Sequence, residues 1–121
     1  MKVANRELKE SVEPMRKLLA LKLPIKASMA LVKLAKQLKP QEEYIQTISD
    51  KLITDHGEPH PTQQGGFQIN EGCPGFPKFC EELGVLMDEE VEIDFEVVTL
   101  PDNIEIEPYV LMALEKFVTL D

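Results

Sequence analysis

The sequence predicts an α+β fold, mostly α, in which a long kinked αα-hairpin is followed by a small β element and short helices. Apolar residues recur at three- and four-residue steps through most of residues 4–56, which is the spacing of one helix face. Residues 89–100 instead alternate apolar with acidic side chains, the period of a half-buried strand. A chain of 121 residues has the length of one core, so residues 1–121 are expected to form a single domain.

The first helix is predicted over residues 4–22, with Asn5 able to cap its first turn. Its apolar stripe consists of Leu8, Val12, Met15, Leu18 or Leu19, and Leu23. Pro14 lies inside this pattern, and a proline removes one backbone donor and clashes with the preceding turn. A kink or a break near Glu13 is therefore expected.

The second helix is predicted from Ile25 to about Asp55, with Pro24 in its first turn. Its apolar seam consists of Leu31, Leu34, Leu38, Ile45, Ile48 and Leu52. Pro40 marks either a kink or the start of a new helix, and the seam continuing in register favours one kinked, nearly continuous helix. Two helices leave part of each stripe exposed, so either the C-terminal elements or a second copy must cover it, and we expect a homo-oligomer.

The rest of the chain divides into an irregular loop over residues 57–75 and an acidic helix-strand-helix part over residues 76–121. His56-Gly57 ends the hairpin, and Gly66–Ile69 is a candidate short strand in the loop. A short helix is predicted over 76–87 and a strand over 89–100, with an apolar face made of Val91, Ile93, Phe95 and Val97. A final helix opens at Pro108, with Val110 or Leu111, Leu114, and Phe117 or Val118 facing the core.

Charge is distributed unevenly along the chain. Residues 1–40 carry ten Lys or Arg and three Glu, a net charge of +7, whereas residues 41–121 carry three Lys and 19 acids, a net charge of −16. Either a basic helix lies close to an acidic body, or the molecule presents a bipolar surface to partners of opposite sign. Four lysines flank the seam of the second helix and form the candidate partner-binding surface: Lys22, Lys26, Lys33 and Lys36.

Catalytic and metal chemistry find little support in the sequence. His56, His60, Cys73 and Cys80 are possible zinc ligands, but their H-x3-H and C-x6-C spacing differs from the usual cysteine pairs of structural sites. We expect the two histidines to lie in loops and the two cysteines to be small, semi-buried thiols. The sequence also lacks a G-x-S-x-G elbow and phosphate-binding glycine motifs. We expect no enzyme, no catalytic residue, no metal and no cofactor.

Composition also argues against two classes of partner. A chain this acidic repels nucleic acid outside its first 40 residues, where no aromatic residue is interleaved among the lysines for base stacking. No apolar run approaches the ~18 residues of a bilayer span, and no signal-peptide pattern is present. The expected partner is therefore another protein, and the expected location is the cytoplasm.

Several phrases of the sequence resemble a group of small uncharacterised proteins encoded by phages and prophages of Gram-positive bacteria. These phrases are Lys22-Leu23-Pro24-Ile25-Lys26-Ala27, Ile53-Thr54-Asp55-His56-Gly57, Glu89-Glu90-Val91-Glu92-Ile93, and Ile106-Glu107-Pro108 with Leu111, Ala113 and Leu114. The resemblance implies a non-enzymatic role in virion assembly, or an accessory or minor structural role, in the bacterial host cell or the virion. It brings no site residues with it. The alternative is a small regulator or inhibitor that binds a host protein or nucleic acid through the basic helices.

Overall fold

The computed structural model describes residues 1–59, 61–62 and 65–121. Helices lie at Asn5–Leu19 (α1), Ile25–His56 (α2), Phe76–Asp88 (α3) and Pro108–Ala113 (α4). Short strands lie at Lys2–Ala4 (β1), Glu58–Pro59 (β2), Phe67–Gln68 (β3), Glu90–Glu92 (β4), Val98–Leu100 (β5) and Val118–Leu120 (β6). The predicted α+β class, mostly helical, is confirmed.

The two long helices form the predicted hairpin, and neither contains a break. α2 runs for 32 residues through Pro40, which confirms the prediction of a nearly continuous helix. α1 likewise continues through Pro14, so the alternative of a break near Glu13 is wrong. A proline inside a helix costs about 3 kcal/mol, whereas burying one large apolar side chain contributes about 1.5–3 kcal/mol. α1 buries Leu8, Met15 and Leu18, and this burial outweighs the cost.

The start of α1 differs from the prediction, because Asn5 does not cap it. Ala4 occupies the cap position, and the Glu7 carboxylate accepts a hydrogen bond of 3.2 Å from the Ala4 backbone N–H. Asn5 is the first helical residue and is completely buried. Its side chain is bound by other elements: its Nδ2 donates to the Leu86 carbonyl oxygen at 2.8 Å, and its Oδ1 accepts from Gln41 at 2.9 Å.

The prediction of a single strand over residues 89–100 is wrong. β4 pairs antiparallel with β1, and β5 pairs parallel with β6, so the segment contributes to two separate sheets. Between them the alternation shifts by one residue, since Val97 is 44% exposed and Val98 is buried. Neither β1 nor β6 was expected, because the pairing that stabilises each of them is distant in sequence.

The final helix is shorter than predicted, although its apolar residues do reach the core. Val110 and Leu114 are buried as expected, but α4 ends at Ala113. Phe117 and Val118 enter the core from the following turn and from β6. β-branched residues favour strands, and the pairing of Val118 with Val98 on β5 ends the helix early.

One cluster of buried side chains joins α1, α2, α3, α4, β5 and β6. Leu31, Leu34 and Leu38 of the α2 seam are at most 1% exposed. The C-terminal elements of the same chain therefore cover the seam, which does not need a second copy for that purpose. The homo-oligomer stays a prediction that rests on the charge distribution alone.

The loop after α2 folds back on the end of that helix. β2 and β3 pair antiparallel, which confirms a short strand within residues 66–69. Gly57 follows the helix with an ordinary negative φ, so its role is close approach: a Cβ there would lie 2.2 Å from the Gln68 carbonyl oxygen. A Cβ at Gly75 would likewise lie 2.2 Å from the His56 carbonyl oxygen.

Candidate partner-binding surface

All four predicted partner-binding lysines are exposed. Three of them, Lys26, Lys33 and Lys36, lie on the first half of α2. In the part of the chain that the structure describes, none of the four forms an ion pair. Of the nine other basic side chains, Lys2 and Lys9 also form none among the described residues, and the remaining seven do form such pairs: Arg6 with Asp88, Arg16 with Glu13, Lys17 with Glu107, Lys39 with Glu43, Lys51 with Asp55, Lys78 with Glu81 and Lys116 with Glu7.

An exposed apolar stripe on α2 runs beside Lys26, Lys33 and Lys36. Ile25 is 72% exposed, Met29 64% and Val32 44%. Their i, i+4, i+7 spacing places them on one face of α2, opposite the face that carries the buried seam. We call these three residues together with Lys26, Lys33 and Lys36 the lysine stripe.

The apolar half of the lysine stripe was not predicted from the sequence. Its signal was present, because Ile25, Met29 and Val32 have helical spacing of their own. The stronger Leu31/Leu34/Leu38 pattern on the opposite face accounted for the helix by itself. Only the packing shows that α1 and the C-terminal elements cover one face and leave the other open.

The lysine stripe adjoins two shallow depressions. One encloses about 440 Å³ and is lined by Ile25, Ser28, Met29, Val32, Lys33 and Lys36. The second encloses about 290 Å³ between the end of α1 and α2, and its lining is Leu19, Val32, Ala35, Lys36, Lys39 and Glu42. Because Val32 and Lys36 line both, the two depressions form one continuous surface along α2.

Lys22 does not belong to this surface. It lies in the connection between α1 and α2, where it lines another depression of about 380 Å³ with Pro101, Asn103 and Glu105. The four-lysine surface predicted from the sequence is therefore divided by the fold. Three lysines share one helix with the apolar stripe, and the fourth faces the C-terminal part.

A half-buried carboxylate lies at the far end of the second depression. Burial raises the pKa of Glu42, because removal from water disfavours the charged form. Within the described ranges Glu42 has no ion-pair partner; the nearby Lys39 is paired with Glu43 at 3.9 Å. Glu42 therefore does not neutralise Lys26, Lys33 or Lys36 through an ion pair in the described residues.

The candidate zinc ligands are placed differently from one another. His56 Nε2 lies 2.7 Å from Glu82 Oε2 and joins the end of α2 to α3. Cys73 is buried beside Asn70, whereas Cys80 is exposed on α3. His60 lies outside the described residues. Among residues 1–59, 61–62 and 65–121, no group of three or more His, Cys, Asp or Glu is arranged to hold a metal ion.

The acidic residues 90–96 are exposed as the alternation predicted, at Glu90, Glu92, Asp94 and Glu96. Of these four carboxylates, Glu92 has an ion-pair partner among the described residues, since the Met1 amino group lies 2.8 Å from it. The hydrogen bond and the charge of that amino group lower the pKa of Glu92. The other three carboxylates are solvated and do not converge on a cleft, so they lack the geometry of an acid–base pair.

Comparison with protein-family models, with curated proteins and with solved structures finds no match to this chain. Among the helices of the described residues, none is long and apolar enough to cross a bilayer. The lysine stripe therefore stands as the candidate functional site on its own chemistry: exposed apolar side chains on a helix, bordered by unpaired lysines.

Proposed function

We propose that this protein is a non-enzymatic interaction protein that binds another protein through the lysine stripe. The observation that carries the proposal is the combination of Met29 and its apolar neighbours with lysines that have no ion-pair partner in the described chain. Leaving large apolar side chains in water is unfavourable, and a bound partner would remove them from it. The unpaired lysines would then attract and orient an acidic partner.

We propose further that the protein is encoded by a phage or prophage and acts in virion assembly, or as an accessory or minor structural component. Support comes from the resemblance of its sequence phrases to small phage-encoded proteins. An assembly protein acts by binding other proteins, which agrees with a surface built for contact rather than for chemistry. Its place of action is then the cytoplasm of the bacterial host or the virion.

A protein partner fits the lysine stripe better than nucleic acid does. A surface that follows a phosphate backbone is polar, with aromatic residues for base stacking. The lysine stripe has instead Ile25, Met29 and Val32 at its centre. A regulator that binds a host protein would use the same surface, so the identity of the captured protein separates the two functions.

The experiment is affinity capture from cells in which the phage is induced, followed by mass spectrometry. Wild-type protein is expected to retain phage structural proteins, and Lys36→Glu is expected to lose them. Lys9→Glu is the matched control, because Lys9 is also an exposed helical lysine without an ion pair in the described residues. Retention of one host macromolecule in place of virion proteins would favour the regulator, and equal capture by Lys36→Glu would contradict the role of the stripe.

A further inference from the structure

The lysine stripe has the dimensions of a binding site for a single helix. From Ile25 to Glu42, at the ends of the two joined depressions, α2 extends about 26 Å, or roughly five turns. One edge of the stripe carries the long side chains of Lys26 and Lys33. The other edge carries the small residues Ser28 and Ala35, and Ala35 lines the second depression together with Leu19 of α1. Small residues at a crease allow close approach of a third helix.

We propose that the lysine stripe binds an amphipathic α-helix of a partner protein, with apolar residues along one face and acidic residues beside them. This inference rests on the proposed function and specifies the partner. Apolar residues at helical spacing on the partner would cover Ile25, Met29 and Val32. Acidic residues on the flank of that helix would meet Lys26, Lys33 and Lys36, which supplies the charge complementarity.

A second copy packed about a twofold axis through the same stripe is unfavourable. Such a contact would bring Lys26, Lys33 and Lys36 of both protomers into one interface without an acidic residue of the stripe to pair with them, because a twofold interface packs one patch against its own copy. Like charges brought together across an interface cost several kcal/mol. The stripe is therefore not complementary to itself.

A second copy packed head to tail also lacks a matching surface among the described residues. α3 exposes one large apolar side chain, Val85, and α4 exposes Tyr109 and Met112. Tyr109 is already contacted by Lys17, whose Nζ lies 4.6 Å from the centre of the ring. α1 exposes Leu19, and α2 beyond the stripe exposes Tyr44. None of the four helices therefore presents, outside the lysine stripe, three exposed large apolar residues at its i, i+4, i+7 spacing, so the complementary helix belongs to another protein.

The test uses labelled synthetic helical peptides of about 18 residues, which match the length of the stripe. The first carries leucines along one face and glutamates beside them. The second has the same composition with the leucines distributed around the helix, and the third has lysines in place of the glutamates. We expect the full-length protein to bind the first peptide with an affinity that falls as salt is raised, and to bind the other two at least about tenfold more weakly.

Two matched pairs of variants locate the binding surface. Met29→Glu is expected to weaken binding of the first peptide at least about tenfold. Val85→Glu, which also replaces an exposed apolar side chain by glutamate but on α3, should leave binding within about twofold. Lys36→Glu and Lys9→Glu form the corresponding charge pair. All four side chains are exposed, so retained helical circular dichroism is expected and confirms that each variant is folded.

Three results would overturn the inference. The protein could bind the peptide with distributed leucines as tightly as the first peptide, or Met29→Glu could bind the first peptide as tightly as the wild type does. The protein could also bind a duplex DNA more tightly than the first peptide, with an affinity that Met29→Glu does not lower. Sedimentation of the wild type as a dimer that Met29→Glu dissociates would assign the stripe to a second copy instead. Loss of virion-protein capture by Met29→Glu, without binding of any peptide, would refute the helical partner and leave the proposed function intact. Binding of the first peptide without capture of virion proteins would refute the role in virion assembly and leave the helical partner intact.

Discussion

The buried Asn5 side chain links three helices, and its replacement tests that linkage directly. It is completely buried, donates to the Leu86 carbonyl oxygen at 2.8 Å and accepts from Gln41 at 2.9 Å. Asn5→Ala removes both hydrogen bonds, each of which contributes about 1 kcal/mol. The loss of buried packing adds to this cost, and the better helix propensity of alanine offsets roughly 0.5 kcal/mol of it. We expect the free energy of unfolding to fall by about 2–3 kcal/mol.

Urea denaturation followed by helical circular dichroism measures this change. With an m-value of about 1–3 kcal/mol/M, a loss of about 2–3 kcal/mol should lower the midpoint by roughly 0.7–3 M. Asn5→Asp should destabilise more than Asn5→Ala at neutral pH, because it places a charged acceptor against the Leu86 carbonyl oxygen. Asn103→Ala, at an exposed site, is the control and should change stability by less than about 0.5 kcal/mol.

A double-mutant cycle with Gln41→Ala isolates one of the two bonds. A direct hydrogen bond between the side chains predicts a coupling energy of about 0.5–1 kcal/mol, since residues in contact do not act additively. A loss below about 0.5 kcal/mol for Asn5→Ala, or additive effects in the cycle, would refute the assignment of Asn5 as the link between α1, α2 and α3.

Three further predictions concern stability and its dependence on pH. Gly57→Ala should lower the free energy of unfolding by more than about 1 kcal/mol, because its Cβ would lie 2.2 Å from a backbone oxygen of β3. Gly84→Ala should raise it by about 0.5–1 kcal/mol, because Gly84 lies within α3 and its Cβ would meet no atom within 4 Å. Desolvation acts to raise the pKa of Glu7, but the Lys116 ammonium and a backbone N–H outweigh it and lower that pKa. Its exposed ion pair should therefore contribute about 0.3–1 kcal/mol above the ordinary carboxylate pKa and lose this as pH falls through the lowered value. The Glu42 carboxylate instead lowers the free energy of unfolding at neutral pH, because burial raises its pKa. Glu42→Gln should therefore stabilise the protein at neutral pH by roughly 0.5 kcal/mol.

Denaturation curves at neutral and acidic pH check all three predictions. Equal effects of the two glycine replacements would contradict the close contact at Gly57. Glu7→Gln should be less stable than the wild type at neutral pH and equal to it in acid. Glu42→Gln should be more stable than the wild type at neutral pH, with a difference that shrinks in acid. The same sign for both glutamate variants would show that the environments assigned to these carboxylates are wrong.

The sequence alone determined the helical part of this fold. Apolar spacing is a local property, so Leu31, Leu34 and Leu38 predict α2 and its buried face without knowledge of what covers it. The same holds for the short helix near Phe76 and for the exposed lysines of α2. The local pattern could not show that α1 continues through Pro14, because this depends on how much apolar surface α1 buries against its neighbours.

Tertiary structure decided the sheets and the candidate site. β1 with β4, and β5 with β6, are pairings between short segments, and the stability of each strand comes from a partner that no local pattern identifies. The lysine stripe depends on tertiary structure in the same way. Ile25 and Leu31 are both apolar residues of one helix, and only the packing of α1 and the C-terminal elements on one face leaves the other face exposed beside unpaired lysines.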